Sequence, residues 1–296
     1  MRKNIFVASW KTYKTTVGEV RDYLQDLPSY SAAFRQEFEV VLCPSFVHLE
    51  AASELMPSNM RLGAQDCSGF GPGPHTGEIT AAQLKSLGVK YCILGHVERR
   101  VAGETDQQIN NKVKQCLGNG ITPIVCFGET LVEYDNDQTR IVIERQMRDC
   151  LVGISNLEDV CLCYMPIWSI GTGFYTTGEY SNIIADFMRK TAVKMTGNPM
   201  SANCTIVFGG QITSTNAKEY LETPEVDGIM FAIAALNTKD FAEIVNTPFS
   251  VKKLLKVEQP DPKAKPVQPV PAAQPAGQAV AGAPVPSGQP QTTPPQ

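Results

Sequence analysis

The chain is 296 residues long, with 43% hydrophobic and 19% charged residues, enough apolar material for one large globular domain or two small ones. Its 26 basic and 30 acidic residues leave a net charge of −4, which argues against a nucleic-acid or anionic-membrane surface as the main partner. No run of 18 apolar residues exists, so no transmembrane helix is expected.

The N-terminus opens on the basic stretch Met1-Arg2-Lys3-Asn4. Its apolar run Ile5-Phe6-Val7-Ala8 is broken by Ser9 and Lys11, too short for a signal peptide. Short β-rich runs then recur along the chain, at Ile5–Ser9, Val40–Cys43, Arg61–Ala64, Tyr91–Leu94, Thr122–Phe127, Val160–Tyr164, Thr205–Gly209 and Gly228–Phe231. Most are apolar nearly throughout, as parallel strands covered on both faces require. Between them lie segments of helical spacing and length, among them Ala81–Gly88, Thr105–Asn119, Tyr180–Thr196 and Asn216–Glu222. Eight strand–helix units in about 250 residues match an α/β fold of the (β/α)8 barrel type better than an open sheet. A doubly wound sheet would alternate in the same way. However, no G-x-G-x-x-G turn follows the first strand, which disfavours a dinucleotide-binding domain. In a barrel the chemistry belongs at the carboxyl ends of the strands. Nine cysteines occur with no C-x-x-C pair, and Cys43, Cys92, Cys126 and Cys163 end apolar runs. They read as small buried hydrophobes in a reducing, cytoplasmic compartment.

Composition breaks near residue 259. Residues 260–296 hold 11 of the 21 prolines and no aromatic, and the last charge is Lys265. The expected domains are therefore a barrel over residues 1–258 and a disordered Pro-rich tail over 259–296, partly polyproline II. An inert solubilising tether is the plain role for such a tail. A partner of the proline-binding type would have only Pro266-Val267-Gln268-Pro269 to read.

The expected strand ends carry Gly63-Ala64-Gln65-Asp66, His75-Thr76-Gly77-Glu78-Ile79, Ile93-Leu94-Gly95-His96-Val97-Glu98-Arg99-Arg100, Pro123-Ile124-Val125-Cys126-Phe127-Gly128-Glu129-Thr130, Tyr164-Met165-Pro166-Ile167-Trp168-Ser169-Ile170-Gly171-Thr172-Gly173 and Val226-Asp227-Gly228. In order and spacing, from about residue 3 to 250, this set resembles the triosephosphate isomerase family. The resemblance implies a TIM barrel, usually homodimeric. It also implies cofactor-free interconversion of dihydroxyacetone phosphate and glyceraldehyde 3-phosphate, a step of glycolysis and gluconeogenesis. The family's acid–base scheme comes with the resemblance: a carboxylate base, a neutral histidine that polarises the carbonyl, a cation and a backbone cage for phosphate. His96 falls on the electrophile, before a helix whose N-terminal dipole would keep the imidazole neutral. Lys11 matches the active-site lysine.

Several positions depart from the family. Met165 stands where the resemblance puts the catalytic glutamate, and a thioether has no group that can take a proton. A positioned base is worth roughly 10²–10⁴ in rate. Ser9 replaces an Asn beside Lys11, and Val97 replaces a Ser beside His96. The lid glycine survives as Gly171 and the Gly209-Gly210 pair survives, but Gln211 replaces a Ser. After the eighth strand Ala232-Ile233 replaces a glycine pair, which puts methyl groups where backbone would approach an anion. The second lid hinge, Phe174-Tyr175-Thr176, carries an aromatic where the family has Lys. Together these departures read as loss of the isomerase function under a retained fold.

Other residues divide between uses. Gly69–Glu78 resembles the loop by which each family subunit enters its partner, so a homodimer is expected there. Glu98 and Arg99 match family positions, with an ion pair buried near the barrel end as their plain role. His75 and His48 have no Asp, Glu or Cys at metal-ligand spacing, so no metal site is expected from them. Two functional readings follow. One is a barrel without that catalysis, retained to bind a ligand, such as a small phosphorylated compound, or to serve as a partner or scaffold subunit. The other is an isomerase of the same or a related sugar phosphate with Glu98 or Glu129 as base.

Overall fold

A computed structural model describes residue 2 and residues 4–34 and 38–249. The tail expected over residues 259–296, including its Pro266–Pro269 motif, lies outside the described residues. Eight strands form one closed barrel: β1 (Asn4–Ser9), β2 (Phe38–Cys43), β3 (Arg61–Ala64), β4 (Tyr91–Leu94), β5 (Thr122–Phe127), β6 (Cys161–Tyr164), β7 (Thr205–Gly209) and β8 (Gly228–Phe231). Each pairs in parallel with the next, and β8 returns to β1 with Ile5 opposite Gly228. The doubly wound alternative is thereby excluded. β2 begins two residues before the expected Val40, because Phe38 and Glu39 pair with Asn4 and Ile5. β6 begins one residue late, since the Val160 amide instead closes a turn onto the Leu157 carbonyl.

The helices between strands start where short polar side chains satisfy the first free amides. Thr16, Thr80, Thr105 and Thr130 each accept from the amide three residues on, and Glu19, Gln83, Gln108 and Glu133 reach back to the cap amides. This reciprocal box recurs in four of the connections, and each cap stabilises its helix start by about 1 kcal/mol. The helix Gly178–Thr196 opens two residues earlier than its apolar spacing predicts, because Thr177 caps it through the Tyr180 amide. It ends at Gly197 in the left-handed region, φ 64°.

Two cores result from the strand pleat. Phe6, Val40, Leu42, Leu94, Val125, Phe127, Leu162 and Phe208 face outward against the helices. Ile5, Val7, Val41, Cys43, Ile93, Ile124, Cys126, Cys161, Cys163 and Val207 fill the barrel axis. All nine cysteines are buried and free, among them Cys43, Cys92, Cys126 and Cys163, whose places at apolar runs predict it. At the amino end of the barrel Arg189 pairs with Glu225 and Asp227, while Asp227 also accepts from the Ile206 amide. That network ties β7 to the start of β8 and accounts for Asp227 in the Val-Asp-Gly motif. Among the described residues, no helix is long and apolar enough to cross a membrane.

Candidate functional site

The carboxyl ends of β1, β4, β6, β7 and β8 bring the sequence-predicted residues to one mouth of the barrel. His96 ends the turn after β4 and is the N-cap of the helix Val97–Val101, its Nδ1 accepting from the Glu98 amide at 3.2 Å. An Nδ1 that accepts is unprotonated, so the neutral ring carries its hydrogen on Nε2. Burial is the main reason that the imidazole pKa falls to about 4; the Glu98 charge pulls it up and the Lys11 charge down. The His96 ring is thus a neutral donor through Nε2 at any pH above the acid range.

Lys11 follows Ser9 and Trp10 at the end of β1, with φ at 47°. A long side chain pays about 1–2 kcal/mol for that conformation. The turn is held by Gln65, whose Nε2 donates to the carbonyls of Lys11 and Cys43, both at 2.9 Å. Lys11 Nζ lies 2.6 Å from Glu98 Oε1. The Ser9 hydroxyl is spent locally, accepting from the Lys11 amide at 3.4 Å. Sequence reasoning quoted Gln65 without giving it this work; a polar side chain directly after a buried strand was the available signal.

Met165 is 4% exposed and belongs to the inner core. Its amide donates to the Phe127 carbonyl at 2.7 Å. Two glycines make its place. A Cβ on Gly128 would stand 1.8 Å from the Met165 carbonyl oxygen, and one on Gly209 would stand 2.7 Å from its methyl carbon. The thioether methyl therefore lies beside Gly209, close to Cys163 and Met230 in the inner apolar group. Val97 joins the same apolar group. Ile167 and Ile170 pack against it from the lid.

The lid is anchored at its first hinge by Glu129, whose Oε1 accepts from Tyr164 Oη at 3.0 Å and from Trp168 Nε1 at 2.9 Å. Its tip, Gly171-Thr172-Gly173, turns through two positive φ values and is held by Thr172 Oγ1 on the Trp168 carbonyl. At the second hinge Tyr220 Oη donates to the Thr176 carbonyl. Gln211 is exposed after β7 and Asn216 binds its carbonyl. Ala232 precedes the short 3-10 turn Ile233–Leu236 after β8, and Ile233 is 73% exposed.

The geometry corrects three expectations. Glu98 and Arg99 do not form a buried pair with each other: both are exposed, Glu98 binding Lys11 and Arg99 binding Asp66 at 3.2 Å. Glu98 also lies on the Nδ1 side of His96, 3.7 Å away, behind the ring relative to its Nε2 donor. Glu129 is fully buried on the helix side of β6 with Tyr164, Trp168 and Tyr134, not in the mouth. Burial raises its pKa, opposed by the hydrogen bonds from Trp168 and Tyr164. Neither carboxylate faces the space in front of His96 Nε2. Of the other histidines, His48 is buried with Nε2 3.0 Å from the Lys14 carbonyl, and His75 stacks on Phe70.

A closed (β/α)8 barrel with a neutral imidazole, an ammonium and a glycine-tipped loop at the carboxyl ends of its strands is built like a small-molecule-binding barrel of the enzyme class. A family model described as triosephosphate isomerase matches residues 4–248. The triosephosphate isomerase of Dictyoglomus thermophilum is 36% identical over 251 residues, covering 83% of this chain and 100% of that protein. That of Carboxydothermus hydrogenoformans is 37% identical over 252 residues, covering 83% and 98%. That of a Picosynechococcus species is 38% identical over 248 residues, covering 83% and 99%. The chain belongs to the triosephosphate isomerase family.

Proposed function

We propose that this chain is a triosephosphate-isomerase-family barrel without efficient isomerase activity, retained for binding or as a partner or scaffold subunit. Met165 carries the reading. The mouth keeps a neutral donor at His96 and a cation at Lys11, but the position that would take a carbon-bound proton holds a buried thioether. A small phosphorylated compound fits Lys11 and His96 by charge and hydrogen bonding. It would meet Ala232, Ile233 and Gln211 where glycine and serine backbone would be open to it, so Gly171 alone keeps the lid side of such a cage. No cofactor enters this reading.

The relatives named triosephosphate isomerase interconvert the two triose phosphates, and the retained His96 and Lys11 favour a second reading in which this chain does so with another base. Glu98 is committed to Lys11 and Glu129 to Tyr164 and Trp168, which weighs against both candidates. A coupled assay on the purified full chain tests the choice. At most a trace of turnover is expected. Turnover within about tenfold of the ordinary enzyme median of roughly 10 s⁻¹ would overturn the proposal.

The chain is further proposed to pair with a second copy through the Gly69–Glu78 loop. Phe70 on that loop is exposed and stacks on His75 at 4.3 Å, which preorders an apolar knob. Tyr13 after β1, Phe46 and Val47 in the 3-10 turn after β2, and Val101 at the end of the helix after β4 are exposed apolar residues for such a knob to cover.

A further inference from the structure

Cys67, Cys92 and Cys116 come together from three elements. Cys67 follows β3, Cys92 lies on β4 facing the helices, and Cys116 sits in the last turn of the helix Asp106–Gly118. Their sulfurs all lie within 4.8 Å of one another, and Cys67 Sγ is 3.5 Å from Cys116 Sγ. They are 25 and 24 positions apart in the chain, so no ligand motif announces them.

Three features of the cluster point one way. Around a d10 ion with bonds of about 2.3 Å to thiolate sulfur, three sulfurs in a plane stand about 4 Å apart, close to the spacing found. No fourth His, Cys, Asp or Glu joins the group among the described residues, and all three cysteines are buried, so neither protein nor bulk water completes a tetrahedron. Zinc in structural sites takes four ligands, whereas copper(I) is selected by soft sulfur and accepts three. Nearby, Lys112 places its ammonium between Asp66 and Glu104. Cys67 and Cys116 share a sulfur–sulfur hydrogen bond in which either thiol can donate, and the Cys92 thiol reaches only the Ile93 carbonyl, at 3.8 Å.

We infer that Cys67, Cys92 and Cys116 form a trigonal all-sulfur site for a thiophilic d10 cation of the copper(I) class, on the helix side of the barrel and separate from its mouth. Binding needs no electron transfer: copper(I) enters as copper(I), and each metal–sulfur bond forms as a carrier ligand leaves the copper and that thiol gives up its proton to buffer. Cys67 at the root of the Gly69–Glu78 loop is the least enclosed of the three and is the side of entry.

The test uses the full reduced chain under argon. Copper(I) is supplied as its acetonitrile complex and held against a chromophoric copper(I) chelator, and X-ray absorption then counts the sulfurs. One retained equivalent with three sulfurs and no nitrogen or oxygen neighbour is expected. Cys116→Ser should lower retention at least tenfold, while Cys204→Ser, on β7's side of the barrel, should leave it unchanged. The sulfur count on the unaltered chain stands even if Cys116→Ser misfolds. No retained equivalent, a two-sulfur or nitrogen-bearing ion, equal retention by a folded Cys116→Ser chain, or a Cys67–Cys116 disulfide in place of binding would each overturn the inference.

Discussion

Replacing Met165 by Glu separates loss of a base from loss of a site. The position is 4% exposed and faces Gly209, Cys163 and Met230. A carboxylate there loses its hydration, and full burial raises a carboxyl pKa by up to about 3–5 units. With a folded pKa above 7 and an unfolded value near 4.3, holding the proton at neutral pH costs roughly 4 kcal/mol at about 1.4 kcal/mol per unit. Because the folded pKa is raised, that cost vanishes below the unfolded pKa and grows as pH rises. Relative to the parent, Met165→Glu should therefore melt higher at pH 5 than at pH 7. Catalytically, a restored base contributes roughly 10²–10⁴ only in its ionised form, a minority at neutral pH here, and proton transfer also needs substrate held at near-attack distance by its remote phosphate. Met165→Glu alone should give weak, poorly saturating initial rates in the coupled assay. Combined with Ala232→Gly, Ile233→Gly and Gln211→Ser it should give far more than the sum of the separate changes, because the groups act as a unit. A single Met165→Glu chain with kcat/KM above about 10⁴ M⁻¹s⁻¹, the lower end of ordinary enzymes, would refute the reasoning about Ala232 and Ile233.

Three further outcomes follow from named contacts. His96 should titrate by nitrogen-resolved NMR near pH 4, well below a free histidine; since the unfolded chain takes that proton near 6.5, its contribution to stability should fall by about 3 kcal/mol as pH drops from 6.5 to 4, a fall absent in His96→Asn. A titration at 6 or above would contradict the N-cap geometry. Gly128→Ala places a Cβ 1.8 Å from the Met165 carbonyl and should destabilise by more than about 3 kcal/mol or abolish folding, read by thermal unfolding, whereas an unchanged melting point would mean that this close approach is relieved cheaply. Sedimentation equilibrium on the full chain should return twice its 32.3 kDa, and a monomer at all concentrations would remove the role given to Gly69–Glu78.

The barrel was legible because each strand is a short apolar run and four helix starts carry a Thr followed three residues later by Glu or Gln. Boundaries slipped where a local hydrogen bond outranked apolarity, as at Val160 and Thr177. Lys11, His96 and Met165 were readable from motif order alone. What their side chains touch was not. Glu98 and Glu129 sit one strand end apart in sequence terms, yet one faces solvent beside Lys11 and the other is sealed behind β6. That division depends on which face of the barrel each residue turns to after its strand ends, and no periodicity survives in a loop. The Cys67, Cys92 and Cys116 cluster was invisible for a related reason: a loop, a strand and a helix well apart in the chain assemble it.

Proton abstraction itself tests the central claim most directly. The full chain is incubated with dihydroxyacetone phosphate in deuterium oxide, and exchange at the substrate's carbon-bound hydrogens is followed by proton NMR, with no coupling enzyme and no dependence on product release. With Met165 in the base's place, exchange should not exceed that in buffer by more than a trace. Exchange approaching roughly 10 s⁻¹ per chain, the ordinary enzyme median, would contradict the account and require a base other than Met165, Glu98 or Glu129.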